Sequence, residues 1–198
     1  TRQNDHDEFY PSFSRDGKSI AYTTWNDKDL GSVKVVRASG GMGSTITTEP
    51  GIYVEPKFSP KGNNIVFRRL TGGYLVSPEW SLEPGIYLAD RKAKTMEKVT
   101  EDGFNAHFAA DEDRLYFTDY APDSKYTELE LYSVDLKGRD ERTLLKGDKV
   151  TEYQLSPDGK WIGYTHQNNA FVAPLLSTGL QQELDIEDSG LPVAQVSK

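Results

Sequence analysis

The chain has 198 residues, 36% of them hydrophobic and 27% charged, which places it among globular sequences able to bury a sizeable core. A net charge of −8 argues against a general binder of phosphate backbones, which would carry a basic stripe, so no nucleic-acid partner is expected. There is no cysteine, hence no disulfide framework and no thiolate metal site, and no apolar run approaches the roughly 20 residues of a membrane helix, so no membrane insertion is expected.

The first eight residues, Thr1 to Glu8, are polar throughout and contain no signal peptide. Because residue 1 is not Met, the chain is expected to be a processed or excised part of something longer. From there the pattern is period 2. Phe9 to Ser14 and Ser19 to Thr24 read as two strands joined at Asp16-Gly17, where Gly supplies the positive φ that a tight turn needs. Ser32 to Arg37 and Ser44 to Thr48 read as two further strands. The same succession returns three times: Val54 to Ser59, Asn64 to Arg69, Gly85 to Asp90 and Thr95 to Thr100; then Phe104 to Ala109, Arg114 to Asp119, Leu129 to Asp135 and Glu141 to Lys146; then Thr151 to Ser156, Lys160 to Thr165, Ala170 to Pro174 and Pro192 to Ser197. No helix is expected.

Phe13, Phe58, Phe108 and Leu155 each stand just before a turn, at spacings of 45, 50 and 47 residues. That period, built from four strands per unit, predicts an all-β fold, a β-propeller of four four-stranded antiparallel blades, either a complete small ring or part of a larger propeller. Blades of about 8–50, 51–101, 102–148 and 149–198 make one domain. A blade cannot bury its faces alone, so an incomplete ring would leave two apolar faces for a partner, among them a second copy of the chain.

Three insertions interrupt the repeat, at Leu70 to Pro84, Tyr120 to Glu128 and Leu176 to Leu191. Long connections on a rigid scaffold are where function concentrates, so Tyr74 and Trp80 in the first and Tyr120 and Tyr126 in the second are candidate contact residues. Trp25, which ends a second strand, is another. The histidines His6, His107 and His166 lie in different units without metal-ligand spacing; His107, on a first strand, is the candidate for facing a central channel. No Gly-x-Ser-x-Gly elbow occurs, Gly40 to Gly43 lacks the Lys of a phosphate loop, and the acidic turn Asp111 to Asp113 lacks calcium-loop spacing. The acidic run Glu183 to Asp188 reads as a solvated loop. No catalytic, cofactor or metal site is expected, and the partners expected are proteins.

Leu155-Ser-Pro-Asp-Gly-Lys-Trp-Ile-Gly-Tyr164 and its copies at Phe13 and Phe58 resemble the TolB-type propeller repeat, whose hallmark is an aromatic residue followed by Ser-Pro-Asp-Gly-Lys and an apolar strand. The copy at Phe13 departs at Arg15, the copy at Phe58 at Lys61 and Asn63, and the third copy lacks the Ser, Pro and Gly. Tyr74 to Tyr87, Phe104 to Phe108, Asn169 to Pro174 and Leu191 to Ser197 resemble the propeller that precedes a metal-dependent amidohydrolase domain in large exported bacterial proteins. That resemblance implies a periplasmic or extracellular scaffold whose catalytic domain lies elsewhere in the parent chain; the alternative is a stand-alone TolB-like adaptor binding protein partners at the envelope. The metal ligands of the amidohydrolase family have no counterpart here.

Overall fold

The computed structural model describes residues 5–73, 80–122, 128–146, 150–156, 160–166, 169–174, 184–185 and 194–195, and every regular element among them is a strand. β1 (Asp7–Phe13), β2 (Ser19–Asn26), β3 (Leu30–Arg37) and β4 (Ser44–Thr45) form a first antiparallel sheet in that order. β5 (Ile52–Phe58) and β6 (Asn64–Leu70) open the second. A two-residue ribbon, β7 (Gly72–Gly73) with β8 (Trp80–Ser81), intervenes before β9 (Gly85–Asp90) and β10 (Thr95–Thr100) complete it. The third sheet holds β11 (Phe104–Phe108), β12 (Arg114–Tyr120), β13 (Leu129–Asp135) and β14 (Arg142–Lys146), and the fourth β15 (Val150–Leu155), β16 (Trp161–His166) and β17 (Asn169–Pro174).

Of two short strands near the end, the first differs from expectation. β18 (Leu184–Asp185) pairs in parallel with β14, so two residues of the acidic run are a fifth strand of the third sheet rather than loop. The outer edge of β14 offers unpaired backbone groups that any extended segment can satisfy. β19 (Ala194–Gln195) pairs with β17 as the fourth strand of its sheet, within the expected Pro192 to Ser197, the other residues of which lie outside the described ones.

The hairpin turns repeat in detail. Gly17 (φ 69°) donates its N–H to Ser14 O at 2.8 Å, and Gly62 (φ 75°) to Ser59 O at 2.8 Å. The Ser hydroxyl then accepts the amide across the turn, from Ser19 at 2.9 Å and from Asn64 at 3.2 Å, while Asp16 Oδ1 accepts Lys18 N at 3.0 Å. The worn third copy makes the same turn with Glu112 at the glycine position, in the left-handed region at φ 66°, its N–H on Ala109 O at 3.1 Å. The Glu112 carboxylate reaches back to the second sheet, accepting the Lys61 amide and lying 3.6 Å from Lys61 Nζ. The two residues that depart from the repeat thus hold each other across neighbouring turns.

The first strands of the first three sheets are bulged. Pairing jumps between Phe9 and Ser12, between Val54 and Lys57, and between Phe104 and His107. At each place a non-glycine residue is left-handed: Tyr10 (φ 52°), Glu55 (φ 57°) and Asn105 (φ 54°). Glu55 Oε2 accepts the Asn105 N–H at 2.8 Å, tying one bulge to the next.

Three apolar seams hold the sheets face to face. Ala21, Val33, Val35 and Ile46 of the first sheet meet Tyr53, Ile65, Phe67, Tyr87 and Ala89 of the second. Val66, Ile86 and Val99 meet Phe108, Leu115, Phe117 and Val134 of the third. Leu131 and Leu144 meet Leu155, Ile162, Tyr164 and Ala173 of the fourth. The stacking of neighbours supplies the core that no single sheet could bury. Among the described residues no sheet packs to a comparable extent on the other face of the first.

Candidate functional site

The residues singled out in the sequence lie apart. His107 occupies β11 with Nδ1 2.9 Å from Asn105 O, which makes Nδ1 the donor and leaves Nε2 buried and without a partner among the described residues. Burial holds the imidazole below its ordinary pKa; the bond to Asn105 opposes this and the Lys57 charge reinforces it. The ring lies 6.2 Å from that of Tyr116, its cross-strand neighbour. Trp25 donates Nε1–H to Asp27 Oδ1 at 3.0 Å and lines a polar cleft of about 260 Å³ with His6 and Asp7. Tyr120, 39% exposed, ends β12 with its ring 5.5 Å from Phe104, over which the Arg68 guanidinium sits at 5.7 Å. Trp80 pairs through its backbone with Gly73. Tyr74 and Tyr126 lie outside the described residues. Among the described residues no group of three or more His, Cys, Asp or Glu side chains could hold a metal ion.

The insertion after β6 does place one polar hub. Arg69 is 4% exposed, with Nη1 3.2 Å from Glu49 Oε1, Nε 3.2 Å from Ser81 Oγ, and the rings of Tyr53 and Tyr87 at 5.8 and 6.0 Å. A fully partnered guanidinium between two rings braces the first seam.

A feature missed by the sequence reading emerges when the sheets are laid over one another. Second- and third-strand aromatics pair and stack on the face turned to the preceding sheet: Phe67 with Tyr87 at 6.2 Å, Phe117 with Tyr132 at 5.6 Å, Tyr164 with Phe171 at 5.5 Å. In the first sheet the equivalent pair is Tyr22 and Lys34. Glu8 stands five residues before Phe13 as Tyr53 stands five before Phe58, so charges replace both outer members of the Tyr53–Phe67–Tyr87 row. The signal was present in Ser32-Val-Lys-Val-Val-Arg37, where a Lys interrupts an apolar run, but only register shows which face it takes.

Two clefts lie beside this row. One, of about 300 Å³, is lined by Phe9, Pro11, Ile20, Tyr22 and Val36. The other, of about 320 Å³, is lined by Lys34, by the carboxylates of Asp29 and Glu49, and by Ser32, Thr45 and Thr47. Lys34 is 8% exposed and makes no hydrogen bond or close ion pair among the described residues, and its charge acts on the Asp5 carboxylate nearby. The carboxylates around it are engaged: Asp29 takes Asn26 Nδ2 at 3.2 Å, Glu49 holds Arg69, and Asp5 lies 2.9 Å from His6 Nδ1.

Sheets of four antiparallel strands, repeated and stacked through apolar seams, define the class: an all-β propeller fold of the TolB-like kind. No protein-family model matches the chain. Over 99 residues, 50% of the chain, it is 31% identical to the Tol-Pal system protein TolB of Francisella tularensis subsp. mediasiatica (strain FSC147), a match covering 21% of that protein. TolB from Acinetobacter baumannii superposes with a TM-score of 0.66 at 24% identity, over 97% of this chain and 44% of that one. An oligogalacturonate lyase from Vibrio parahaemolyticus superposes with a TM-score of 0.70 at 10% identity, over 100% of this chain and 56% of the lyase. The sequence match establishes homology with TolB across half the chain; the structural likenesses speak to fold alone. The chain spans less than two thirds of each of these relatives.

Proposed function

We propose that the chain is a non-catalytic propeller scaffold of a longer exported protein of the amidohydrolase-associated kind, periplasmic or extracellular, which packs on and orients parts supplied by the rest of that protein. One observation carries this reading. Phe13 is 64% exposed, whereas its counterparts Phe108 and Leu155 are each 8% exposed beneath a preceding sheet. An aromatic at a position that elsewhere fills a seam asks for a covering surface. The test is the Phe13→Ser variant. In the isolated chain it shifts urea stability by less than ~0.5 kcal/mol, as an exposed position does, and in the longer protein it costs about 2 kcal/mol or more. Equal small costs in both settings would sink the proposal.

A second reading draws on the curated relatives, which are Tol-Pal system proteins: an envelope adaptor binding protein partners without a catalytic domain of its own. The reading frame distinguishes the two. A downstream barrel with His-x-His ligands supports the scaffold; a stop codon directly after Lys198 supports the adaptor.

A further inference from the structure

We propose that the far face of the fourth sheet, the one turned away from the third, docks an aromatic-bearing sheet of the longer protein; this deepens the scaffold reading and rests on it. Strand alternation puts Trp161, Gly163 and Thr165 of β16 on that face, opposite Pro174, Val172 and Ala170 of β17. Ile162, Tyr164 and Ala173 point the other way, into the third seam. In the first three sheets the same face lies beneath the next sheet. Ala170 stands in register where those sheets carry Val33, Ile86 and Leu131, each 0% exposed, yet it is only half-buried. Trp161 and Pro174 stand where those sheets carry the polar pairs Ser19 with Arg37, Asn64 with Asp90, and Arg114 with Asp135. The covered faces thus end in polar residues at this rim, and the uncovered one ends in an indole that is 48% exposed. An exposed aromatic where the repeat is otherwise polar marks a contact surface.

The three seams define what covers such a face. Each lays aromatic rings on the far face before it: Tyr53, Phe67 and Tyr87 on the first sheet, Phe108, Phe117 and Tyr132 on the second, Tyr153, Tyr164 and Phe171 on the third. The fourth far face has room for the same. A Cβ on Gly163 would meet only the Gln154 and Phe171 carbonyl oxygens, both at 3.8 Å, where the other sheets carry Ala21, Val66 and Tyr116. The missing side chain leaves a pit beside Trp161, into which a ring can enter edge-on to the indole. The first sheet of this chain is a poor match, since Glu8 and Lys34 flank Tyr22 in place of rings, and a second copy would bring the same charges. The partner is therefore a sheet face with a full aromatic row, supplied by another repeat of the longer protein.

The experiment exposes the isolated 198-residue chain and the longer protein to hydroxyl radicals and reads oxidation of Trp161 and Phe13 by mass spectrometry. In the longer protein Trp161 is protected about fivefold or more relative to the isolated chain, as the water-excluded centre of an interface is. Gly163→Ala, which installs the residue of the first sheet, keeps that protection. Gly163→Leu fills the pit: the isolated chain retains its urea midpoint and its Trp161 reactivity, while the longer protein loses most of the protection. Equal Trp161 reactivity in both settings overturns the proposal. If Phe13 is protected in that case, the scaffold reading survives without it; if neither is protected, both fall. Protection that appears in the isolated chain as its concentration rises places a second copy on the face and also overturns the proposal, as does protection that Gly163→Leu leaves intact.

Discussion

Glu112 offers a stringent test of how neighbouring sheets are held. Its backbone sits at φ 66°, a conformation that glycine takes freely at the same place in Gly17 and Gly62 but that costs an L side chain ~1–2 kcal/mol. Against that, its 10%-exposed carboxylate accepts the Lys61 amide and faces the Lys61 ammonium at 3.6 Å. A hydrogen bond to a charged acceptor contributes ~1.5–3 kcal/mol, and an ion pair whose Lys is 69% exposed adds at most about 1 kcal/mol. Glu112→Ala keeps the strain and loses the latch, so it should destabilise by about 2 kcal/mol. Glu112→Gly loses both and should lie about 1 kcal/mol above the alanine variant, hence about 1 kcal/mol below wild type. Lys61→Ala leaves the amide in place and should cost under ~1 kcal/mol. Urea titrations followed by tryptophan fluorescence measure all three. If Glu112→Ala proved as stable as wild type, or Glu112→Gly more stable than wild type by over 1 kcal/mol, the carboxylate would be no latch and the reasoning would fail.

Two further outcomes are expected. His107 is held neutral by burial, so its folded pKa lies below the value near 6.5 of the unfolded chain; its contribution to stability is complete above that value and is lost as pH falls below it toward the folded pKa. Denaturant midpoints at about pH 7.5 and 5.5 should therefore differ less in His107→Gln than in wild type, and an unchanged difference would refute the assignment. Gly138 has φ 71°, and a Cβ there would lie 1.9 Å from Val99 O of the neighbouring sheet; Gly138→Ala should cost about 3 kcal/mol and lower the thermal midpoint, whereas a cost below ~1 kcal/mol would mean that the second seam yields easily.

The strands and their pairing were legible because period 2 and the Asp-Gly turns are local signals, carried by Ile20 and Tyr22, Ile65 and Phe67, Leu115 and Phe117, and Ile162 and Tyr164. The parallel strand at Leu184 and Asp185 was not, since a two-residue pairing to an open edge needs no sequence pattern of its own. The aromatics of the insertions drew attention as exposed contacts, yet the polar hub placed by the first insertion is the buried Arg69, a residue that reads in sequence as one more surface charge on β6. Lys34 escaped notice for a related reason. Its meaning is comparative, visible only when its cross-strand partner Tyr22 is set beside Phe67, Phe117 and Tyr164.

The bulges at Tyr10, Glu55 and Asn105 change the parity of their strands. Along an unbroken strand, residues an odd number of places apart point to opposite faces. Tyr53 and Phe58 are an odd number apart, yet both pack into the first seam, because the extra residue at Glu55 reverses the count between them. β5 thereby contributes apolar contacts to the same neighbour from both of its halves, and a single deletion at Glu55 would turn one half inside out while leaving the turn intact. The extra residue works as a phase marker: it fixes how far along its neighbour each repeat can sit, and the bond from Glu55 to the Asn105 amide reads that phase from one repeat to the next.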